Sequence, residues 1–157
     1  MNAPLLTLRI SRRAIGAAVL GPESLELADG RHLTSKLDKT TAAAVRFVEY
    51  LIGLIKPALL IIDAPMMKPE TATARIMDAL RSVLSSRQVD VLMLNKPEIL
   101  AAYGLKSPRN RRELRELVRH YWPELASIRG KVEPYIVDAA AAALYAECRL
   151  NLERIPA

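Results

Sequence analysis

Arginine is the residue whose number and spacing first suggest a chemistry in this chain of 157 residues. Arg9, Arg12 and Arg13 lie together in the segment RISRR. A second basic cluster contains Lys106, Arg109, Arg111, Arg112, Arg115 and Arg119. Three of its arginines recur every fourth residue, so they share one face if the segment is helical. Guanidinium groups bind phosphate oxygens through paired N–H donors, so both clusters predict binding to a nucleic-acid backbone.

The overall charge agrees with a polyanionic partner. Lysine and arginine total 23 against 17 aspartates and glutamates, which gives a formal net charge of +6. Such an excess attracts polyanions or acidic surfaces. The alternative interpretation of the second cluster is a solvated helix face, because Glu113 and Glu116 offset part of its charge through pairs within the helix.

Several other site classes find no support in the sequence. Cys148 is the single cysteine, so no internal disulfide is expected. The sequence has no P-loop, no GxGxxG motif and no Cys/His spacing typical of zinc sites. The N-terminal segment MNAPLLTLRI lacks the charged start and long apolar run of a signal peptide. We therefore expect a cytoplasmic protein with no membrane partner.

The apolar pattern of the first half predicts three strands followed by a helix and a fourth strand. Segments 5–10, 14–20 and 24–33 have strand-like patterns with short connections, which favours an antiparallel meander. Apolar residues then recur with helical spacing up to Ile55, with Thr40 or Thr41 as the expected N-cap. The continuous apolar run ending at Asp63 is typical of a buried parallel strand.

The second half predicts a helix, a fifth strand and three further helices. A helix over 71–86 precedes a strand over 89–94. A short helix starts near Pro97, and a longer one follows Ser107 and Pro108. The longer helix is expected to bury Leu114, Leu117, Val118 and Tyr121. A final helix is expected over 135–152. This order predicts a single α/β domain over 1–157, with a five-stranded mixed sheet and helices on both faces.

Four segments bear a resemblance to a known family. They are LLTLRISRRAIGAAVL (5–20), LLIIDAP (59–65), NKPEILAAYGLKSPRNRRELRELVRHYWPEL (95–125) and VDAAAAALYA (137–146). Together with the element order, they resemble the RuvC-type Holliday-junction resolvases of the ribonuclease H-like superfamily. The resemblance implies a nuclease that uses two Mg²⁺ ions, held by about four carboxylates, to cut DNA during recombination or repair.

The resemblance also implies that the acidic site of this chain is degenerate. Asp63 and Asp138 match two of the expected carboxylates, as remnant catalytic residues that would hold Mg²⁺ or Mn²⁺ only if the site is active. Arg9 replaces the first-strand aspartate, and Tyr135 stands where a second acid of the closing helix is expected. A guanidinium cannot ligate Mg²⁺. It can instead pair with Asp63 or Asp138 and fill the site.

Other roles for the acids remain open at this point. Asp63 also suits a strand-end carboxylate that caps a turn, and Asp138 suits the first turns of a helix. The acids that would have to be recruited to complete a metal site are Glu133, Asp90 and Asp29.

Three functions follow from this pattern. The first is a RuvC-like protein that binds branched or duplex DNA with a weak or inactive nuclease site, a pseudo-nuclease. The second is an active Mg²⁺-dependent Holliday-junction endonuclease, and the third is a non-catalytic protein-interaction module on the same fold. The resemblance further implies a homodimer, because a four-way junction presents two symmetry-related strands.

Overall fold

The computed structural model describes residues 4–20, 25–33, 36–63, 71–104, 111–128 and 130–153. Its strands are β1 (Leu5–Ile10), β2 (Ala14–Leu20), β3 (Leu25–His32), β4 (Leu59–Asp63) and β5 (Asp90–Leu94). Its α-helices are α1 (Leu37–Ile55), α2 (Ala72–Ser86), α3 (Lys96–Ala102), α4 (Arg111–Tyr121) and α5 (Glu133–Glu153). A 3-10 helix, Pro123–Ser127, joins the end of α4 to the segment before α5. No helix in the described ranges is long and apolar enough to cross a membrane.

The five strands form one mixed sheet in the order β3-β2-β1-β4-β5. The first three strands pair antiparallel as a meander, and β4 and β5 run parallel to β1. This arrangement confirms the predicted mixed sheet. It places the carboxyl ends of β1, β4 and β5 at one edge, because neighbouring parallel strands end together.

Successive side chains of the central strands point to opposite faces of the sheet, so the core has two layers, one on each face. Leu8, Leu60 and Ile62 point to the layer covered by α1 and α2. Ile61 of β4 instead joins the layer formed with α3, α4 and α5. Helices therefore cover both faces, as predicted, and Arg9, next to Leu8, faces the α5 layer because successive side chains alternate.

Helix α5 lies very close to the sheet at Gly16. A Cβ built on Gly16 would lie 2.1 Å from the carbonyl carbon and oxygen of Tyr135 and 2.4 Å from the backbone nitrogen of Ile136. Only a glycine at this β2 position lets the first turn of α5 approach so closely. The buried run of small residues from Ala139 to Ala143 continues this close packing. Asp138, one turn further along α5, lies near the carboxyl ends of β1 and β4, where it meets Arg9.

Two local predictions are wrong. Helix α1 begins at Leu37 after the N-cap Lys36, and the Thr40 hydroxyl lies inside the helix, where it donates to the Lys36 carbonyl. Leu117 and Tyr121 are 48% and 63% exposed rather than buried. Helix α4 buries only the narrower stripe of Leu114 and Val118, because its next face carries the arginines that turn toward α5.

Candidate functional site

Arg9 and Asp63 face each other across neighbouring parallel strands. They are register partners in the β1–β4 pair, and both side chains point toward α5. Arg9 is 6% exposed and Asp63 is fully buried. Arg9 Nη1 lies 3.6 Å from Asp63 Oδ1 and donates to the Asp63 carbonyl oxygen at 3.4 Å. The side chain that replaces the expected acid thus lies directly on the neighbouring carboxylate.

Asp138 approaches the same arginine from helix α5. It is 2% exposed, and its Oδ2 lies 3.7 Å from Arg9 Nε. Arg9 therefore pairs with both aspartates that the sequence singled out. The two carboxylates converge as the resemblance implied, but a guanidinium lies between them.

Lys96 is the fourth residue of this site, and sequence reasoning missed it. Its Nζ lies 2.6 Å from Asp63 Oδ2 and 3.9 Å from Asp138 Oδ2, and its side chain is 6% exposed. Asn95 caps α3 by accepting from the Glu98 N–H at 2.8 Å, which starts the helix beside the sheet. The sequence showed only that Lys96 comes two residues after the fifth predicted strand; the register that pairs Leu94 with Asp63 places it at the site.

Arg115 of helix α4 also contacts this site. Its Nε and Nη2 donate to Asp138 Oδ1 and Oδ2, each at 3.2 Å, in the paired geometry typical of arginine and a carboxylate. One turn later, Arg119 forms an ion pair with Glu133 of α5. Arg115 and Arg119 thus contact α5, and Glu133 is not free to complete a metal site.

The cluster of Arg9, Lys96 and Arg115 around Asp63 and Asp138 is called the ion-pair network below. It contains three cations and two carboxylates, so it carries one excess positive charge. Two buried atoms, Arg9 Nε and Asp63 Oδ1, have ion-pair neighbours but no hydrogen-bond partner. The positive and negative charges are thus largely balanced inside the protein, and the network lacks one negative charge for neutrality.

The ion-pair network does not fit a divalent metal. Mg²⁺ requires oxygen ligands at about 2.0–2.1 Å, whereas an ammonium group lies 2.6 Å from Asp63 Oδ2 and a guanidinium contacts both oxygens of Asp138. Within the described ranges, no group of three or more His, Cys, Asp or Glu side chains could hold a metal ion.

The other acids considered from the sequence do not join the site. Asp29 lies on β3 opposite Ala17 of β2, and its carboxylate accepts from the Gly30 N–H at 2.7 Å. Asp90 pairs with Leu59 at the other end of the parallel strands. Strands β2 and β1 separate Asp29 from β4, and Asp90 lies at the opposite end of β5 from Leu94, so neither reaches Asp63.

A cleft of about 540 Å³ lies beside the ion-pair network. Its lining includes Arg9, Ser11, Arg12, Arg13, Thr73, Arg115, Lys131, Pro134, Tyr135 and Asp138. The cleft brings the first basic cluster together with one arginine of the second. Tyr135, at the place of the missing acid, lines it as well.

The remaining predicted basic residues divide into two groups. Arg112 pairs with Glu116 at 3.3 Å on the exposed face of α4, as the solvated-face interpretation expected. Lys106 and Arg109 lie outside the described residues, and Arg111 is described only as the first residue of α4.

Comparison with known proteins identifies the fold. No protein-family model and no curated protein sequence matches this chain. Among solved structures, Thermus thermophilus RuvC superposes with a TM-score of 0.76 at 12% identity over 96% of both chains. The fowlpox virus resolvase in complex with Holliday-junction DNA gives 0.66 at 12% identity, over 94% of this chain and 98% of that one. The yeast mitochondrial resolvase Ydc2 gives 0.65 at 9% identity, over 96% and 81%. This chain therefore has the RuvC-type, ribonuclease H-like fold.

Proposed function

We propose that this protein binds nucleic acid, as branched or duplex DNA, on its RuvC-type fold and does not cut it efficiently. The observation that carries the proposal is the placement of Lys96 and Arg9 on Asp63 and Asp138. Phosphodiester cleavage on this pattern of carboxylates needs divalent ions to clamp the phosphate and activate water. Here the side-chain cations pair with the carboxylate oxygens that such ions would have to bind.

The loss of the metals does not remove the attraction for DNA. Fixed cations attract a phosphate backbone by the same electrostatic rule, and their effect decreases as salt rises. The net charge of +6 and the arginines lining the cleft support this partner class. The fowlpox resolvase, which shares the fold, was solved with junction DNA.

Electrophoretic mobility shifts with a four-way junction, a duplex and a single strand, each at several salt concentrations, test the binding. We expect binding at low salt that weakens steeply as salt rises. The Arg12→Ala and Arg13→Ala double variant should bind more weakly. The Lys39→Ala and Arg46→Ala double variant, at exposed sites on α1 on the other side of the sheet, removes the same number of charges and is the matched control. If none of the three DNAs binds at low salt, the proposal is wrong and the protein-interaction function takes its place.

Incubation of the same DNAs with Mg²⁺ or Mn²⁺ tests the second half of the proposal. We expect no metal-dependent nicking above background. Metal-dependent cleavage that disappears in Asp138→Ala would instead establish the active endonuclease.

The proposal includes a homodimer, since two symmetry-related strands of a junction require two equivalent binding surfaces. Sedimentation of the protein with and without junction DNA tests this part: two chains per junction are expected, and one chain per junction would contradict it.

A further inference from the structure

We infer that the cleft beside the ion-pair network binds one phosphate group without a metal ion, and that the phosphate supplies the negative charge the network lacks. The choice of a nucleic-acid backbone phosphodiester as the source of this group rests on the proposed function. The inference itself concerns which anion the cleft accepts and how.

The first argument is the charge of the ion-pair network. Arg9 and Lys96 are nearly fully buried, and with Arg115 they face two carboxylates. The two buried cations balance the two buried carboxylates, so the excess charge belongs to Arg115, whose side chain is 27% exposed and lines the cleft. A counter-ion bound in the cleft would neutralise this charge. A phosphodiester carries one negative charge, which matches the single excess positive charge of the network.

The second argument is an unused donor on a residue that lines the cleft. Arg9 lines the cleft and is 6% exposed, and its buried Nε has no hydrogen-bond partner. The nearest carboxylate oxygen, Asp138 Oδ2, lies 3.7 Å away, which is beyond hydrogen-bonding distance. Buried donors are almost always satisfied, so Nε gains an acceptor if the guanidinium turns toward a phosphate bound in the cleft.

The third argument is the positive rim of the cleft. Arg12 and Arg13 are exposed on the β1–β2 turn, whose shape is held by Ser11 Oγ accepting from the N–H groups of Arg13 and Ala14 at 3.1 and 3.3 Å. Lys131, just before α5, also lines the cleft and is exposed. The amino-terminal turn of α5 also borders the cleft and adds the partial positive charge of a helix N-terminus.

The size of the cleft is suited to one phosphate with its adjoining sugars. Its volume of about 540 Å³ lies in the usual range for a site that holds a small ligand. Phosphate oxygens would therefore meet guanidinium donors at the floor and at the rim, where a related metal site would present carboxylates.

Inorganic phosphate is the first probe, used with the intact protein in EDTA. The Nε–H resonance of Arg9 is followed by ¹⁵N NMR during the titration, and sodium chloride at equal ionic strength is the control. We expect phosphate to shift this resonance in a saturable manner that chloride does not reproduce.

Junction DNA in EDTA is the second probe. Variants at the rim of the cleft change its binding without altering the buried network. The Arg12→Ala and Lys131→Ala double variant removes two exposed cations. The Lys39→Ala and Arg46→Ala double variant removes the same types of charge from α1. We expect the salt dependence of log affinity to fall by about one in the first double variant, because the cleft contacts one phosphate, and to remain unchanged in the second.

The outcomes separate this inference from the proposed function. Suppose that the wild-type protein binds the junction, that phosphate does not shift the Arg9 resonance, and that both double variants have the same salt dependence. These results would overturn the phosphate cleft and leave the proposed function standing. A saturable phosphate shift in a protein that binds none of the DNAs would support the cleft and reject nucleic acid as its source.

Discussion

Replacing Lys96 with methionine should destabilise the fold, because it strands a carboxylate that is fully buried. Lys96 Nζ lies 2.6 Å from Asp63 Oδ2. At an effective dielectric constant of 20, their attraction is about 6 kcal/mol before the desolvation of both groups is subtracted. Removal of one partner from a buried pair costs about 3–5 kcal/mol. Arg9 Nη1 remains 3.6 Å from Asp63 Oδ1, so we expect a loss near the lower value, about 3 kcal/mol.

Urea unfolding monitored by the fluorescence of the buried Trp122 and by far-ultraviolet circular dichroism measures this loss. For a domain of this size, about 1 kcal/mol corresponds to roughly 2–4 °C in Tm. The expected decrease in Tm is therefore about 6–12 °C. Lys39→Met makes the same chemical change at an exposed site on α1 and should alter the free energy of unfolding by less than about 0.5 kcal/mol.

A double-mutant cycle with Asp63→Asn then tests the reason for the loss. If the cost arises from a stranded anion, Lys96→Met combined with Asp63→Asn will be more stable than the sum of the two single losses predicts, by about 0.5–3 kcal/mol. The reasoning is refuted if Lys96→Met unfolds within about 0.5 kcal/mol of the wild-type protein, or if the two losses simply add.

Three further predictions follow from the same region. The double variant Arg9→Asp with Lys96→Gln should acquire Mn²⁺ binding that isothermal titration calorimetry does not detect in the wild-type protein, because it adds an oxygen ligand and removes two cations; equal heats in both proteins would contradict the account of the site. Gly16→Ala should lower the free energy of unfolding by about 1–3 kcal/mol, since its Cβ would overlap backbone atoms of α5. Gly53→Ala, with no atom within 4 Å, should raise it by about 0.5–1 kcal/mol. Urea unfolding that ranks the two variants in the opposite order would refute the packing argument. Burial raises the pKa of Tyr103 above its ordinary value, so its contribution to stability is complete below about pH 10 and is lost as the pH rises further. In unfolding experiments from pH 8 to 11, Tyr103→Phe should therefore lose less free energy of unfolding at high pH than the wild-type protein. An unchanged dependence of that free energy on pH would contradict this.

The sequence by itself was sufficient for the elements and for part of the site. The strand patterns and the helical spacing of the apolar residues predicted the mixed sheet, because burial imposes those periods on the chain locally. Arg9, Asp63 and Asp138 were found because they occupy strand ends and a helix start that resemble positions in a known family. Their types led to the prediction that fixed cations stand where the related family has metal ligands.

Other features depended on distances that no local pattern records. Lys96 follows an N-cap and precedes Pro97, a context typical of an exposed helix start, yet the parallel register of β4 and β5 buries it against Asp63. Leu117 has the helical spacing of a core residue but is exposed.

The direction of the α4 arginines was likewise set by the tertiary structure. Arg115 turns inward to Asp138 of α5, the helix that packs closely on the sheet at Gly16. Periodicity describes one element at a time. The balance of charge at this site depends on side chains from β1, β4, α3, α4 and α5, which are distant in sequence, so only the packed fold determines which ions meet.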